Sequence, residues 1–314
     1  MLAFTSADEA SLQAFLSVSA RSPYQSQLEE YLERLIDQGA TRLEWCLVGL
    51  DSEEPVARAA LWALPGNTEP TDIVLVACDW DEDDLASGRA LLTKLHELAR
   101  GLGSDTLNHH VDSPPGPPQY QENDDARVRL LEDCGYELLR DGLRWRLTMP
   151  PSPAAGQPSS LTFRSLPEAG EDAFVDAITR TYAGTRDTWL ARNVEELGPA
   201  RAAREDFDDA KGLEYEPGWW ELAYTEAGEL AGVIMATCNR GTAVIYYVGV
   251  VPEQRGRGIA AQLVRRGTEH LAATGVDEIR GDCDVGNVAM VKAFERAGYE
   301  RFARRRSYRI TLGR

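Results

Sequence analysis

The chain has 314 residues, 51 acidic against 33 basic, and a formal net charge of −18. This balance argues against nucleic acid as a main partner, because phosphate needs Lys and Arg opposite it; an acidic surface suits a cationic ligand such as an amine, or simply keeps the protein in solution. No apolar run reaches the roughly 18 residues of a membrane span, and Met1–Ala20 lacks the basic start of a signal peptide and is interrupted by Asp8 and Glu9, so a cytoplasmic protein without a membrane partner is expected.

Hydrophobic residues at 43% supply a core for each of two domains. Five cysteines (Cys46, Cys78, Cys134, Cys238, Cys283) are scattered, with no CxxC pair, which reads as buried thiols in a reducing compartment rather than a nucleophile at Cys283. Acidic residues crowd Asp79–Asp84. His109 and His110 are neighbours in a strand pattern, so they point to opposite faces and make a poor metal clamp; no metal is expected. Residues 112–125, DSPPGPPQYQENDD, read as a Pro-rich loop, and 150–160, PPSPAAGQPSS, as an exposed linker. This divides the chain into 1–149, the linker 150–160, and 161–314.

In the second part, a short strand is expected over Leu161–Leu166 and helices over Glu171–Thr181 and Val194–Lys211. Trp219–Thr225 and Leu230–Thr237 form a hairpin across Glu226-Ala227-Gly228-Glu229. Ala243–Val250 is an apolar run without alternation, as in a strand covered on both faces. A helix follows over Gly258–Ala273, then a strand over Val276–Cys283. A second helix, Asn287–Ala297, is stopped by Gly298, and Phe302–Leu312 is expected to close the sheet.

The two parts echo each other. Leu131–Glu137 reads LEDCGYE and Phe294–Glu300 reads FERAGYE, an offset of 163 residues that persists through Arg146-Leu147-Thr148 and Arg309-Ile310-Thr311. Upstream the offset becomes 172, where Ala90-Leu91-Leu92 faces Gln262-Leu263-Val264. The difference falls in the Pro-rich loop, an insertion in the first copy only. The fold class is α/β (α+β): two tandem domains, each with a mixed, mostly antiparallel sheet and helices on both faces.

The segment Val250–Ala260, VVPEQRGRGIA, carries the chemistry. A buried strand ends, Pro252 turns the chain, and Gly256 and Gly258 let the backbone approach a ligand before a helix opens. The first turn of that helix offers N–H groups and a positive dipole end, a cradle for pyrophosphate. Arg255 and Arg257 add charge-assisted donors. A second element follows at Asn287, with spacing N-x₆-F-x₃-G-Y to Phe294 and Gly298-Tyr299.

In these residues the chain resembles the GNAT superfamily of N-acetyltransferases. Arg255-Gly256-Arg257-Gly258-Ile259-Ala260 matches that family's (Q/R)-x-x-G-x-(G/A) loop, and Asn287 to Tyr299 its later helix; the match is specific over 243–299 and looser over 161–242. The resemblance implies acetyl-CoA as co-substrate, in a cleft where two parallel strands splay. It implies that the backbone of Val248 and Val250 pairs with the pantetheine arm, that the amides of Gly256, Arg257, Gly258, Ile259 and Ala260 hold the pyrophosphate, and that Asn287, with Phe294 of the same helix, contacts the cofactor from the other side. In the first copy, Asp83 to Ser87 face Arg255 to Ile259. A pyrophosphate there meets like charge, at about 1 kcal/mol per exposed pair at 4 Å. The first part is therefore expected to be a non-catalytic GNAT-like partner that braces or completes the substrate cleft.

Transfer to an amine needs a held thioester, donors for the tetrahedral oxyanion and removal of a proton. A lysine-like amine has a reference pKa near 10.4, so roughly one molecule in 10³ is neutral at pH 7, and a base is useful. The simplest oxyanion donor is the Val250 N–H. The family's leaving-group tyrosine falls at Phe294, which has no proton to give; Tyr246 and Tyr247 are the nearby hydroxyls, with Tyr247 the choice. Asp282 is the first candidate for the amine and proton, with Asp284 and Glu221 as options. Trp219, Trp220 and Tyr224 read as core or pocket lining, and Arg304-Arg305-Arg306 as a solvated or salt-bridged strand. The expected reaction is direct transfer of acetyl to a primary amine of a small molecule, by a monomer or homodimer. The alternative, favoured by Phe294, is a non-catalytic acyl-CoA-binding regulatory protein.

Overall fold

The computed structural model describes residues 2–8, 11–18, 21–81, 85–148, 160–239 and 242–313. Most of the expected linker, and Glu82, Asp83 and Asp84 of the acidic cluster, lie outside these residues. The chain forms two compact units: Met1–Arg140 with Arg304–Arg314, and Asp141–Ala303.

The first unit contains β1 (Ala3–Ser6), α1 (Leu12–Ser17), α2 (Gln25–Asp37), β2 (Cys46–Asp51), β3 (Glu54–Trp62), β4 (Asp72–Ala77), α3 (Ala86–Gly101), β5 (Thr106–Ser113), α4 (Asp124–Asp133) and the start of β6 (Glu137–Thr148). β1 to β4 pair antiparallel in succession, and β4 meets β5 in parallel at Asp72↔Asn108. One face of this sheet packs under α3 and α4 around Leu91, Leu92, Leu95 and Leu130; the other packs under α1 and α2 around Phe15, Leu32 and Leu35. β5 alternates as its sequence says: His109 is fully buried, with its Nδ1 2.8 Å from the Ile73 carbonyl, and His110 is part-exposed.

The second unit contains β7 (Thr162–Ser165), α5 (Leu166–Ala169), α6 (Glu171–Tyr182), α7 (Thr188–Leu197), α8 (Pro199–Lys211), β8 (Glu221–Tyr224), β9 (Leu230–Asn239), β10 (Thr242–Val250), α9 (Ile259–Ala272), β11 (Glu278–Asp284), α10 (Val288–Arg296) and the start of β12 (Glu300–Thr311). β7 to β10 pair antiparallel in succession and β10 pairs with β11 in parallel. α9 and α10 cover one face through Leu263, Val264 and Phe294; α6 and α8 cover the other through Phe174, Ile178 and Phe207. The single helix expected over Val194–Lys211 is two, because Gly198 takes a positive φ of 78° and Pro199 then starts α8 where its missing N–H costs nothing.

The expectation that Phe302–Leu312 closes the second sheet is corrected. Residues 304–311 of β12 pair antiparallel with β5 in the first unit, and residues 142–148 of β6 pair antiparallel with β11 in the second. The repeats have exchanged their sixth strands. The two strands share one pattern, ending Arg-Leu-Thr or Arg-Ile-Thr, so local preference does not choose between them. Side-chain complementarity does. Arg305 makes a paired contact with Asp112 (2.7 and 2.6 Å) and Arg309 bonds Asn108 (2.9 Å) in the first unit. In the second, Trp145 stacks on Phe294 and donates to the Cys283 sulfur (3.3 Å). The arginine run is thus a salt-bridged internal strand.

Candidate functional site

β10 is held along its whole length by β9, with an irregularity between Ile245 and Tyr247. Its parallel ladder with β11 runs only from Ala243↔Ile279 to Ile245↔Gly281, after which β11 continues along β6 to Asp284↔Gly142. The two parallel strands therefore part beyond Ile245. The Val251 N–H donates to Ala231 O on the β9 side at 3.1 Å, so by strand alternation the N–H groups of Val250 and Val248 point to the side that β11 has left. Their side chains pack toward α9, while Tyr247 packs toward α6 and α8.

The chain leaves β10 through a short turn, Pro252–Gln254, into Arg255-Gly256-Arg257-Gly258 and α9. Gly256 and Gly258 have φ of +78° and +77°, the left-handed region that glycine occupies without strain. A Cβ at Gly256 would meet nothing within 4 Å, and one at Gly258 would meet only the Arg296 guanidinium, at 3.9 Å. No side chain caps α9 at Gly258, so backbone N–H groups of its first turn face outward with the positive end of the dipole.

The arginines divide their work. Arg255 fans into three carbonyls: Val250 O (3.1 Å), Gly184 O (3.2 Å) and Thr181 O (2.8 Å). Its side chain fastens the end of α6 to the end of β10, so the expected phosphate contact from this guanidinium is replaced by a clamp. Arg257 is exposed, steadied by Gln254 Oε1 at 2.9 Å. Arg296, which sequence reasoning missed, comes from the last turn of α10 to the mouth of the loop; its only sequence signal is its place two residues after Phe294. Asn287 caps α10, its Oδ1 accepting from the Met290 N–H at 3.3 Å.

Phe294 is 1% exposed and stacks on Trp145 with ring centres 5.7 Å apart and on Tyr299 edge-on at 5.2 Å. It is core, not a cofactor contact. Gly281 makes room for it, since a Cβ there would lie 2.6 Å from the ring. The neighbouring hydroxyls are engaged. Tyr299 pairs with Thr268 (2.7 Å) and Tyr247 with Thr181 (2.5 Å), and burial pushes both phenols above their ordinary range. Tyr246 is 36% exposed; burial, then Asp206 and Asp209, push its phenol up to about 12.

The carboxylates separate as clearly. Asp282 is exposed, 3.5 Å from Arg144. Asp284 is buried: its Oδ2 takes the Thr188 N–H (3.1 Å) and hydroxyl (2.5 Å), its Oδ1 the Gly286 N–H (3.0 Å), which ties the start of α7 to the end of β11. Glu221, considered above as a base, is also buried, with Arg266 at 2.6 and 2.8 Å and His270 at 3.0 Å. Burial acts to raise its carboxyl, but Arg266 and His270 hold it below the usual range. It is structural. So is Trp220, fully buried, its indole N–H on Ala236 O. Sequence reasoning also missed Asp206, which accepts from the Tyr182 hydroxyl and whose carboxyl burial raises.

Splayed strands, a glycine loop and an uncapped helix start define a class, the GNAT acetyltransferase fold. Residues 183–299 match the acetyltransferase (GNAT) family. The chain is similar to mycothiol acetyltransferase of Thermobispora bispora, 26% identical over 219 residues, which span 65% of this chain and 69% of that one. It is also similar to the mycothiol acetyltransferase of Clavibacter sepedonicus, 27% identical over 64% of this chain and 65% of that one, just under two thirds of its length. Among solved structures, a GCN5-related N-acetyltransferase from Sphaerobacter thermophilus shares the fold, with a TM-score of 0.57 and 19% identity over 100% of this chain and 96% of that one. Among the described residues, no helix is long and apolar enough to cross a membrane.

Proposed function

We propose that the chain is an N-acetyltransferase that moves an acetyl group from acetyl-CoA to a primary amine of a small molecule, in the cytoplasm, with one working site in the second unit. The observation that carries this reading is the alignment of Val248 and Val250 N–H groups along a strand edge that leads straight into the Gly256–Ala260 turn. A pyrophosphate suits that turn, because backbone amides, the dipole of α9 and the charges of Arg257 and Arg296 converge on it. The pantetheine arm suits the strand edge, where an extended chain of amides replaces a missing strand. Asn287 closes the cofactor from α10.

The Val250 N–H donates to the acyl oxygen as charge develops on it; one such donor is worth about 3 kcal/mol of barrier in a water-excluded site. Asp282, exposed near the end of β11, receives the ammonium and, with water, its proton. Tyr247 keeps its proton on Thr181 and positions α6 against β10. With Phe294 in the core, the leaving thiolate takes its proton from water. The similarity to mycothiol acetyltransferases favours an acceptor of the mycothiol class.

Incubation with acetyl-CoA and a panel of small amines tests the reading through released CoA thiol. Amine-dependent release is expected, and Gly258→Asp, which places a strained residue and a like charge in the turn, is expected to weaken CoA binding at least about 30-fold, roughly 2 kcal/mol. Binding without release for every amine would instead favour the regulatory reading that Phe294 suggests, and no binding would end both.

A further inference from the structure

The first unit repeats the splay of the second. β4 meets β5 at Asp72↔Asn108 alone, and its pairing with β3 shifts register between Arg58 and Ala60, as β10 shifts against β9. Leu75 takes a positive φ of 56° there. The polar groups of β4 beyond the splay are filled from within the chain. The Leu75 N–H donates to Gln119 Oε1 at 2.9 Å. His109 Nδ1 donates to Ile73 O at 2.8 Å, and Arg127, 3% exposed, donates to Val76 O at 2.7 Å.

These groups form one network. Because His109 gives its Nδ1 proton to a carbonyl, and burial holds the ring neutral by lowering it to about 3, its Nε2 is the acceptor for Gln121 Nε2 at 3.3 Å. Gln121 Oε1 in turn takes the Asp112 N–H at 3.1 Å, and Arg127 reaches the Glu122 carbonyl at 3.2 Å while lying over the Trp80 ring. Gln119, Gln121 and Glu122 all belong to the Pro-rich insertion that the second repeat lacks.

We propose that residues 119–122 are a built-in occupant of the first unit's strand cleft: Gln119 takes the Leu75 N–H directly, and Gln121 and Glu122 hold the His109 and Arg127 side chains on the β4 carbonyls, along the strand that corresponds to the one the second unit keeps for the arm of acyl-CoA. The comparison with the second unit rests on the acyl-CoA reading of that unit; the occupancy itself does not. An extended cofactor arm and this segment compete for the Leu75 N–H, while His109 and Arg127, held by Gln121 and Glu122, already take the Ile73 and Val76 carbonyls, so the first unit is closed to acyl-CoA and the chain takes one equivalent.

Two measurements on the full chain test this. Residue-resolved amide exchange without ligand is expected to show Leu75 protected, and Gln119→Ala to speed its exchange about tenfold with β2 and β3 unchanged. Leu75 exchanging as fast in the unaltered chain as in the variant would overturn the proposal. Calorimetric titration with acetyl-CoA is expected to give one equivalent, with Leu75 exchange unaltered at saturation. Two equivalents, or acetyl-CoA changing Leu75 exchange, would overturn it. No binding at all would sink the acetyltransferase reading, and the Leu75 result would still decide the occupancy.

Discussion

Glu221 shows how burial and partners sort carboxylates that look alike in a sequence. It stands beside Trp219 and Trp220, and nothing local says that Arg266 and His270, more than forty residues on, will saturate it. Removing its charge leaves the Arg266 guanidinium and the His270 ring facing a buried gap, so Glu221→Ala is expected to cost about 3–5 kcal/mol in a denaturant titration. Because the folded carboxyl is held below its unfolded value, near 4.3, its stabilisation is present above that value and is lost as pH falls through the folded one. Glu221→Gln is therefore expected to flatten the acid limb of stability below about pH 4.3, while CoA binding stays within about twofold. A variant that kept the acid limb would show that Glu221 is not what titrates there.

The same sorting explains what was legible residue by residue. The Gly256–Gly258 turn reads directly from the sequence because its signal is local: glycines, a proline and two arginines between a strand and a helix. The role of Arg255 does not, since its acceptors Thr181 and Gly184 lie some seventy residues upstream. Nor does that of Phe294, whose stacking partner Trp145 comes from the other repeat.

At the level of elements, the splay depends on how tightly β11 and α10 fit behind it. Gly281 ends the parallel ladder and holds the Phe294 ring over its bare Cα. Gly281→Ala pushes a methyl into that ring, and overpacking of this kind costs about 1–3 kcal/mol. The expected result is a lower melting temperature together with weaker CoA binding, because α10 carries Arg296 to the loop. Melting without any change in binding would separate the ring from the site. Hydrophobic period, caps and turn residues revealed most strands and helices of the second unit. The break at Gly198-Pro199 was readable in hindsight from the same rules.

At the scale of the molecule, the sequence pattern shows a duplication but not the strand exchange, because two copies of one strand carry the same alternation and the same Arg-x-Thr ending. The exchange has a direct consequence. A chain ended after Ala303 keeps the β6–β11 pairing of the second unit and strips β12 from β5 of the first, exposing that edge. Amide exchange by segment is expected to show β4 and β5 losing protection while β9 and β10 keep theirs. Separating the chain at the linker would damage both units, taking β12 from β5 and β6 from β11.

The central claim is that the edge of β10 and the turn after it hold an acyl-CoA. Amide exchange at Val248, Val250 and Gly256–Ala260, followed as CoA is added, tests it most directly. Slowed exchange at these residues, absent in Gly258→Asp, is the expected result; unchanged exchange there at CoA concentrations that support thiol release would contradict it.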